Sequence, residues 1–233
     1  MEIKPLDNDV ELASTRIIDM VLKDVQFKKL HIVDNEMRRS ILYKITAPHI
    51  DMSNLYLYKM IFDMCDFTGG NFRNCRAINT QFNHTNLRDV DFSDADLSSA
   101  SFHGSQMQGA NLTNAALPHF QIVPETGSFI AYKKVYCDKQ TTKVYDEVIA
   151  TLEIPSDAKR TSSLVSRKCR ASHARVIAID DYNPEYIYRS IYKPDFTYEV
   201  GKMVITDQYD DDIRRECSGG VHFFITRDEA CTY

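Results

Sequence analysis

Large apolar residues recur at every fifth position along the first half of the chain. Between Phe62 and Leu117 this register meets twelve apolar residues, eleven of them large: Phe62, Phe67, Phe72, Ala77, Phe82, Leu87, Phe92, Leu97, Phe102, Met107, Leu112 and Leu117. A second register two positions earlier, from Cys65 to Ala115, holds only small or short residues. A period of five fits neither a helix nor a strand, so this segment is not a simple amphipathic element.

The period of five predicts a narrow square coil in which each side is one pentapeptide. Both registers point inward, and the axis leaves room for one bulky group per side, which explains the small second residue. Four repeats close one coil, and successive coils stack through β-type hydrogen bonds about 4.8 Å apart.

The same frame continues upstream with less regularity. Every fifth residue from Phe62 back to Leu22 is apolar, but the second register there contains large residues such as Ile45, Ile50 and Leu55. Because large residues in both registers would crowd the interior, we expect degenerate coils over this part.

These patterns divide the first half of the chain into a cap and a β-helix. We predict a β-helix over 22–120, degenerate over 22–61 and regular over 62–117. Residues 1–21 are predicted to be an N-terminal capping segment, with an amphipathic helix over 9–21. An open β-helix end exposes unpaired edge groups and needs such a cap.

The repeats resemble a known family. The segments CDFTG, TNLRD, VDFSD, ADLSS, ASFHG and ANLTN are similar to the pentapeptide-repeat consensus A-(D/N)-L-x-x. The resemblance implies a right-handed quadrilateral β-helix. It also implies a further function to weigh, because some members that confer fluoroquinolone resistance resemble a DNA duplex and bind topoisomerase in its place.

The five-residue period stops at Pro118, and alternation typical of strands follows. We predict a β-rich α+β domain over 121–233, so the whole chain is expected to be mainly β. Its predicted elements are strands within 129–136, 143–155, 174–180 (buried), 196–206 (broken at Gly201) and 221–226, and a terminal helix capped by Thr226.

The C-terminal region carries a second resemblance. The phrases LEIPSDAKRTSSLVSRKCRASHARVIAID and SGGVHFFITRDEA are similar to a domain that follows pentapeptide repeats in uncharacterised proteins of bacteriophages and large viruses. The resemblance implies a viral, phage-encoded protein and no particular chemistry.

Composition and charge narrow the classes of function. The net charge of −5 and the pI near 5.8 argue against a general nucleic-acid or membrane-surface binder. No apolar run is long enough to span a membrane, and the N-terminus is too charged for a secretory signal. The six cysteines form no C-x-x-C pair, so we expect no metal, no cofactor, and reduced thiols in the cytoplasm, or the host cytoplasm if the protein is viral.

One coil of the β-helix concentrates acidic residues. Asp89, Asp91, Asp94 and Asp96 are predicted to form an acidic patch on its outer face, which we designate a candidate interaction surface. Residues 62–120 carry six acidic and three basic residues. The patch is either a solvated, solubilising surface or part of a surface that mimics DNA and inhibits topoisomerase.

The C-terminal domain contains a basic segment over 159–175, with six bases and no acid. Such groups with neighbouring hydroxyls suit phosphate, and a Gly-Gly turn before His222 would let a ligand approach closely. The candidate ligand-binding residues are Lys159, Arg160, Arg167, Lys168, Arg170, His173, Arg175 and His222. The alternative is that the basic segment pairs with the acidic run over 207–216.

Three classes of function therefore remain open. The leading hypothesis is a non-enzymatic binding protein that blocks or sequesters a host factor of defence or DNA processing, and that forms homo-oligomers through coil ends. The second is a binder of a phosphorylated small molecule or signalling nucleotide through the basic segment. The third is an unrecognised enzyme, for which Cys169, His173 and His222 are weak candidates because no known catalytic motif occurs. We therefore assign no catalytic residue.

Overall fold

The computed structural model describes residues 17–26, 36–139, 145–193 and 195–233. The chain divides into two compact units. The first contains the chain up to Phe120 together with Leu164–Ser166, and the second contains Gln121–Ser163 and Arg167–Tyr233.

The first unit is a four-sided parallel β-helix, which confirms the predicted fold. Its strands are β1 (Ile17–Ile18), β2 (Val21–Lys23), β3 (Glu36–Arg38), β4 (Ile41–Tyr43), β5 (Tyr56–Tyr58), β6 (Ile61–Asp63), β7 (Arg76–Ile78) and β8 (Gln81–Asn83). Strands β1, β3, β5 and β7 form one sheet and β2, β4, β6 and β8 another, each pairing residues twenty apart. Isolated parallel bridges, such as Asn71 with Asp91, join the remaining sides at the same spacing.

The inward register forms one continuous hydrophobic column. Phe62, Phe82 and Phe102 stack directly above one another, with ring centroids 5.1 and 5.3 Å apart. Phe72 and Phe92 make an equivalent pair with centroids 5.1 Å apart. All five rings are almost completely buried, so the column is the core of this unit.

In the early coils, large residues in the second inward register are accommodated because small residues occupy the same place in the next coil. Ile50 and Leu55 are both buried, although they occupy the register that favours small residues. The residues twenty positions later are Gly70 and Cys75, and a Cβ on Gly70 would lie 3.2 Å from Ile50 Cγ2. A large residue in one coil is therefore accommodated because the next coil is small at the same place.

The β-helix begins earlier than the sequence pattern predicted. Ile17 is buried and pairs with Met37, and Val21–Lys23 is a strand, so the predicted helix is wrong for residues 17–21. The apolar positions over 17–21 fit the helical period and the five-residue period of the coil equally well. Backbone hydrogen bonds to the next coil favour the strand. The rest of the predicted helix, and the predicted inward residues Phe27 and Ile32, lie outside the described residues.

The corners of the coil explain much of the polar sequence between the inward registers. Most residues at every fifth position from Asp19 to Asn114 have a left-handed backbone, including Asn74 (φ 55), Asp89 (φ 56) and Asp94 (φ 59). Glycine, asparagine and aspartate tolerate this conformation better than other residues. The corners therefore favour these residue types regardless of any binding role.

The second unit is built from two antiparallel sheets. Its elements are β9 (Phe129–Asp138), β10 (Asp146–Ile154), β11 (Arg160–Ser162), β12 (Cys169–Ala171), β13 (His173–Ile179), β14 (Ile187–Arg189), β15 (Thr197–Tyr198), β16 (Met203–Ile205), β17 (Val221–Phe223) and α1 (Arg227–Thr232). The larger sheet has the order β15-β14-β9-β10-β13-β16, and the smaller has the order β11-β12-β17.

Most of the predicted C-terminal elements are confirmed. The helix α1 begins with a capping box between Thr226 and Glu229, as its sequence indicates. The strand predicted as fully buried, β13, instead alternates, and its Ile177 is 42% exposed. One face of this sheet therefore faces solvent, as antiparallel sheets commonly do.

Candidate functional sites

The basic segment over 159–175 does not form one ligand-binding surface. Its cations point in different directions and several are used to hold the backbone. The Arg160 guanidinium lies over the ring of Phe129 and donates to the carbonyl oxygens of Gly127 (2.7 Å) and Ser156 (2.8 Å). Its role is to join neighbouring loops of the second unit.

Arg170 is the most buried of these cations, with 1% of its surface exposed. Its guanidinium donates to the backbone carbonyls of Asp210 (3.0 Å), Asp212 (2.7 Å) and Arg215 (2.5 Å). The expected pairing of the basic segment with the acidic run over 207–216 therefore occurs, but through main-chain oxygens of that run. Its carboxylates pair elsewhere, as Asp212 does with Arg214 at 2.7 Å.

Other members of the predicted site have local acidic partners. Arg167 Nε lies 2.5 Å from Glu229 Oε1, and Arg175 Nε lies 3.7 Å from Glu153 Oε2. His173 Nε2 lies 3.3 Å from Asp157 Oδ1, and Lys159 is exposed. Arg167, His173 and Arg175 therefore contact separate acidic side chains near the surface and do not share one site.

Cys169, considered as a nucleophile for an unrecognised enzyme, is completely buried in the core of the second unit. Burial raises the pKa of its thiol to about 11, so the thiol is protonated at neutral pH. All six cysteines of the chain are free thiols.

Two predicted residues, Lys168 and His222, do meet at a cavity. The cavity has a volume of about 710 Å³ and is lined entirely by residues of the second unit. Four lysines line it, Lys133, Lys134, Lys168 and Lys193, and no aspartate or glutamate of the described chain does. Aromatic side chains form much of the remaining wall.

Lys133, which lies outside the predicted basic segment, is central to the charge of this cavity. It is half-buried, with its ammonium 5.7 Å from the centre of the Tyr198 ring. Burial and the charge of Lys168 lower the pKa of the Lys133 ammonium to about 8. The signal in the sequence is its position in β9, where Ala131, Lys133 and Val135 share the face that packs on the core.

His222 is neutral in this environment. Burial, followed by the charges of Lys133, Lys168 and Arg170, lowers the pKa of its imidazole to about 3. Its Nε2 accepts a long hydrogen bond from the Ser218 N–H at 3.4 Å, which leaves the ring proton on Nδ1 as a donor.

The low pKa of His222 makes the stability of the protein depend on pH. The unfolded chain binds a proton near pH 6.5 while the folded chain does not until about pH 3, so stability is full above pH 6.5 and is lost as the pH falls through this window. As the pH falls through this window, the free energy of unfolding of the wild type should decrease by an amount on the order of a few kcal/mol. His222→Gln should lack this decrease, because glutamine does not titrate. Urea unfolding at pH 7 and pH 4.5 measures it, and equal losses for both proteins would contradict it.

The acidic patch on the β-helix has a structural explanation for each carboxylate. Asp89 and Asp94 occupy left-handed corners. Asp91 and Asp96 accept hydrogen bonds from the N–H groups of Ser93 (2.9 Å) and Ser98 (3.2 Å), and hydrogen bonds within these turns lower the pKa of both carboxyls. Neighbouring coils also share them, since Asn111 Nδ2 donates to Asp91 Oδ1 at 3.0 Å.

A different outer surface of the β-helix is apolar. Val21, Ile41 and Ile61 lie in register on β2, β4 and β6 with side chains pointing outward, and the first two are 54% and 36% exposed. On the adjacent side, Tyr56 and Tyr58 of β5 stack with ring centroids 6.0 Å apart. We call these five residues the tyrosine–isoleucine face.

Cations surround the tyrosine–isoleucine face. Arg38 and Arg76 lie 5.5 and 5.6 Å from the centre of the Tyr56 ring, and Lys59 lies 5.2 Å from that of Tyr58. Further along the same row, Gln81 and Ser101 replace the aliphatic residues. The apolar character is therefore confined to the early coils.

Two general features complete the description of the sites. Among the described residues, no group of three or more histidine, cysteine or acidic side chains is arranged to hold a metal ion. No helix in the described ranges is long and apolar enough to cross a membrane.

Comparison with known proteins gives matches in both halves of the chain. The family model for pentapeptide repeats matches residues 78–114 with 8 copies, and a family of unknown function (DUF5758) matches residues 119–230. No curated protein matches the chain significantly.

Several solved structures are similar to the β-helix. The pentapeptide repeat protein Rfr23 from the cyanobacterium Cyanothece 51142 is 14% identical, with 47% of this chain and 88% of that chain covered and a TM-score of 0.32. HetL from Nostoc sp. strain PCC 7120, a pentapeptide repeat protein involved in heterocyst differentiation regulation, is 20% identical, with 47% and 65% covered and a TM-score of 0.21. Trypsin-treated QnrB1, a plasmid-mediated fluoroquinolone resistance protein, is 15% identical, with 44% and 70% covered and a TM-score of 0.20.

The expected viral origin and host target are not tested by these matches and stay predictions. The repeats and the C-terminal domain are established by the family models together with the twenty-residue coil of the first unit. The chain is a pentapeptide-repeat protein that carries a C-terminal domain of a family of unknown function (DUF5758).

Proposed function

We propose that the β-helix is a non-enzymatic scaffold that binds another protein through the tyrosine–isoleucine face. The observation that carries this proposal is the row of outward-pointing aliphatic side chains beside two stacked tyrosines, on a rod whose outward positions are mostly polar. Contiguous apolar patches on a protein surface commonly mark interaction sites, and aromatic residues and arginine are enriched in them.

The charges around this face indicate the chemistry of the partner. Its neighbours on the two sides include six cations and four acids: Lys23, Arg38, Arg39, Lys44, Lys59 and Arg76, with Asp19, Asp24, Glu36 and Asp63. Two of the acids pair internally, Asp19 with Arg39 and Glu36 with Arg38. A partner with an apolar centre and an acidic rim would complement this arrangement.

The rigidity of the rod favours such a role. Over the described residues, successive coils are hydrogen-bonded through the backbone and packed on a shared apolar column, which is aliphatic in the early coils and rich in phenylalanine from Phe62 onward. The outward side chains are thus held in place before binding, which reduces the entropy lost on association. Blocking or sequestering a host factor of defence or DNA processing is the form of activity that we propose for this contact.

The tyrosine–isoleucine face supports this role better than the acidic patch. Asp91 and Asp96 already accept hydrogen bonds within their turns, and Asp94 contacts Arg73 at 3.2 Å. Along the rod Asp91 lies between Asn71 and Asn111, and Asp96 lies between Arg76 and Ala116, so these carboxylates do not form continuous anionic rows. This arrangement weakens the DNA-mimic alternative.

We expect Ile41→Asp and Tyr58→Glu to weaken binding of the partner about tenfold or more, because a charge would be buried at the centre of the contact. Partners would be captured on the wild-type chain, identified by crosslinks to Lys44 or Lys59, and their affinities measured. The matched control is Ser101→Asp, which places the same charge on the same row at an exposed polar position.

Melting temperatures distinguish loss of contact from loss of fold. Both side chains point outward, so the variants should melt close to the wild-type temperature. A partner that crosslinks at this face yet binds Ile41→Asp and Tyr58→Glu with unchanged affinity would refute the proposed surface.

A further inference from the structure

The cavity of the second unit has no role in the proposed protein contact. Its volume of about 710 Å³ is in the range of small-molecule sites, and its lining comes from β9, from the loops around Tyr192 and Gly219, and from β17. Tyrosine and phenylalanine rings line part of the cavity, and apolar and aromatic walls with a few polar groups are the usual composition of such a site.

The charge of the cavity is positive and incompletely balanced. Lys134 has an acidic partner, because its Nζ lies 3.1 Å from Glu147 Oε2. Lys168 Nζ donates to Tyr233 Oη at 2.7 Å and to Cys217 Sγ at 3.0 Å, and is 4% exposed. In the described parts of the chain, Lys133 has no carboxylate within 4.0 Å.

Two lysines whose charges repel each other in a half-buried cavity destabilise the fold when no ligand is bound. The pKa of Lys133 is lowered by its burial and by the charge of Lys168, which shows that the cavity disfavours a second cation. A bound anion would remove this repulsion. Groups kept at such a cost to the fold are concentrated at functional sites.

The aromatic side chains offer surfaces for a planar group. Lys168 Nζ lies 4.1 Å from the centre of the Tyr233 ring and 5.5 Å from that of Tyr192, so the cation is held between these two rings. Tyr192 is 75% exposed, which leaves its ring accessible to a ligand. Stacking on such rings is tolerant of the identity of the planar group.

Taken together, the geometry points to a site for a small organic phosphate with a planar ring. We propose that Lys133 and Lys168 bind the phosphate, that the Nδ1–H of His222 supplies a further donor, and that Tyr192 contacts the ring. Phosphate is favoured over a lone carboxylate because two cations and a neutral donor line the same cavity.

The test measures binding to the full-length protein by isothermal titration calorimetry at fixed ionic strength. The probes are phenyl phosphate and AMP, compared with phenol, adenosine and inorganic phosphate. We expect saturable binding of phenyl phosphate or AMP, with at least tenfold weaker binding of the probes that lack either the phosphate or the ring.

Two lysine variants separate the cavity from the basic segment. Lys133→Met is expected to weaken phosphate binding about tenfold or more, because a charge-assisted hydrogen bond is lost. Lys159→Gln removes an exposed cation of the basic segment that does not line the cavity, and should bind as the wild type does.

The stability of the ligand-free variants provides a second readout. Because Lys133 is repelled by Lys168, Lys133→Met should melt at the same temperature as the wild type or higher, so weaker binding would not result from unfolding. Absence of saturable binding of every ring-bearing phosphate would overturn the proposal. So would unchanged binding by Lys133→Met, or loss of binding in Lys159→Gln alone. None of these outcomes depends on the protein contact proposed for the β-helix.

Discussion

Phe92→Asp is expected to unfold the β-helix, the largest effect that we predict for any single substitution in the first unit. Phe92 is completely buried, and its ring centroid lies 5.1 Å from that of Phe72 and 5.9 Å from those of Phe82 and Phe102. The variant loses about 1.5–3 kcal/mol of apolar burial. It also places a carboxylate where no donor can reach it, so the total loss is on the order of 5 kcal/mol or more. Typical domains have little more stability than this.

The measurement is thermal unfolding followed by circular dichroism, together with limited proteolysis mapped by mass spectrometry. The control is Arg88→Asp, which introduces the same group at an exposed position of the preceding repeat and should leave the melting temperature almost unchanged. Protection of the first unit in Phe92→Asp equal to that of the wild type would show that the inward register is misassigned.

Arg170→Met is expected to destabilise the second unit by about 3–5 kcal/mol. The buried guanidinium of Arg170 satisfies carbonyl oxygens of Asp210, Asp212 and Arg215, which would lose their donors together. Removing one partner from buried polar contacts is costly because the remaining groups stay desolvated. Arg170→Lys should not restore stability, because Nε, Nη1 and Nη2 each reach a different carbonyl and a lysine presents all its donors from one nitrogen.

The measurement is the urea midpoint of each variant, combined with hydrogen exchange of the amides in residues 210–216. The control is Arg175→Met, because that side chain is half exposed and its acidic partner is 3.7 Å away. A wild-type midpoint for Arg170→Met would mean that the guanidinium is not needed to hold this loop.

The two parts of the chain differ in how far the sequence predicted them. The β-helix was predictable because its rule is local and repeated: each inward Phe or Leu is five residues from the next. The prediction failed at residues 17–21, where the same apolar positions fit a helical stripe and a coil side equally well. Hydrogen bonds such as those pairing Ile17 with Met37 decide between them, and they come from a different coil.

The candidate sites were harder to predict, because the sequence does not distinguish a charged residue at a coil corner from one in an ion pair or one that binds a ligand. The charge of Asp89 and Asp94 indicates an interaction surface, but their left-handed backbone is sufficient to explain them. Arg160, Lys168 and Arg170 belong to the same basic segment, yet of these three only Lys168 lines the cavity. Lys133 could have been found as a lysine on the apolar face of β9.

The sequence by itself determined the interior of the β-helix, the longer strands of the C-terminal domain and the cap of its helix, but not the short strands β11, β12 and β14. These depend on side-chain period and on neighbours within a few residues. Only the tertiary structure decided which cations are buried, which are paired and which share a cavity. The hydrogen-bond partners Cys217 of Lys168 and Asp210 of Arg170 lie forty or more residues away along the chain. The pKa of Lys133 depends on its burial and on the charge of Lys168, which is distant in the sequence. Burial and charge act through space, so the local pattern can place a lysine on the apolar face of a strand but cannot reveal its partners.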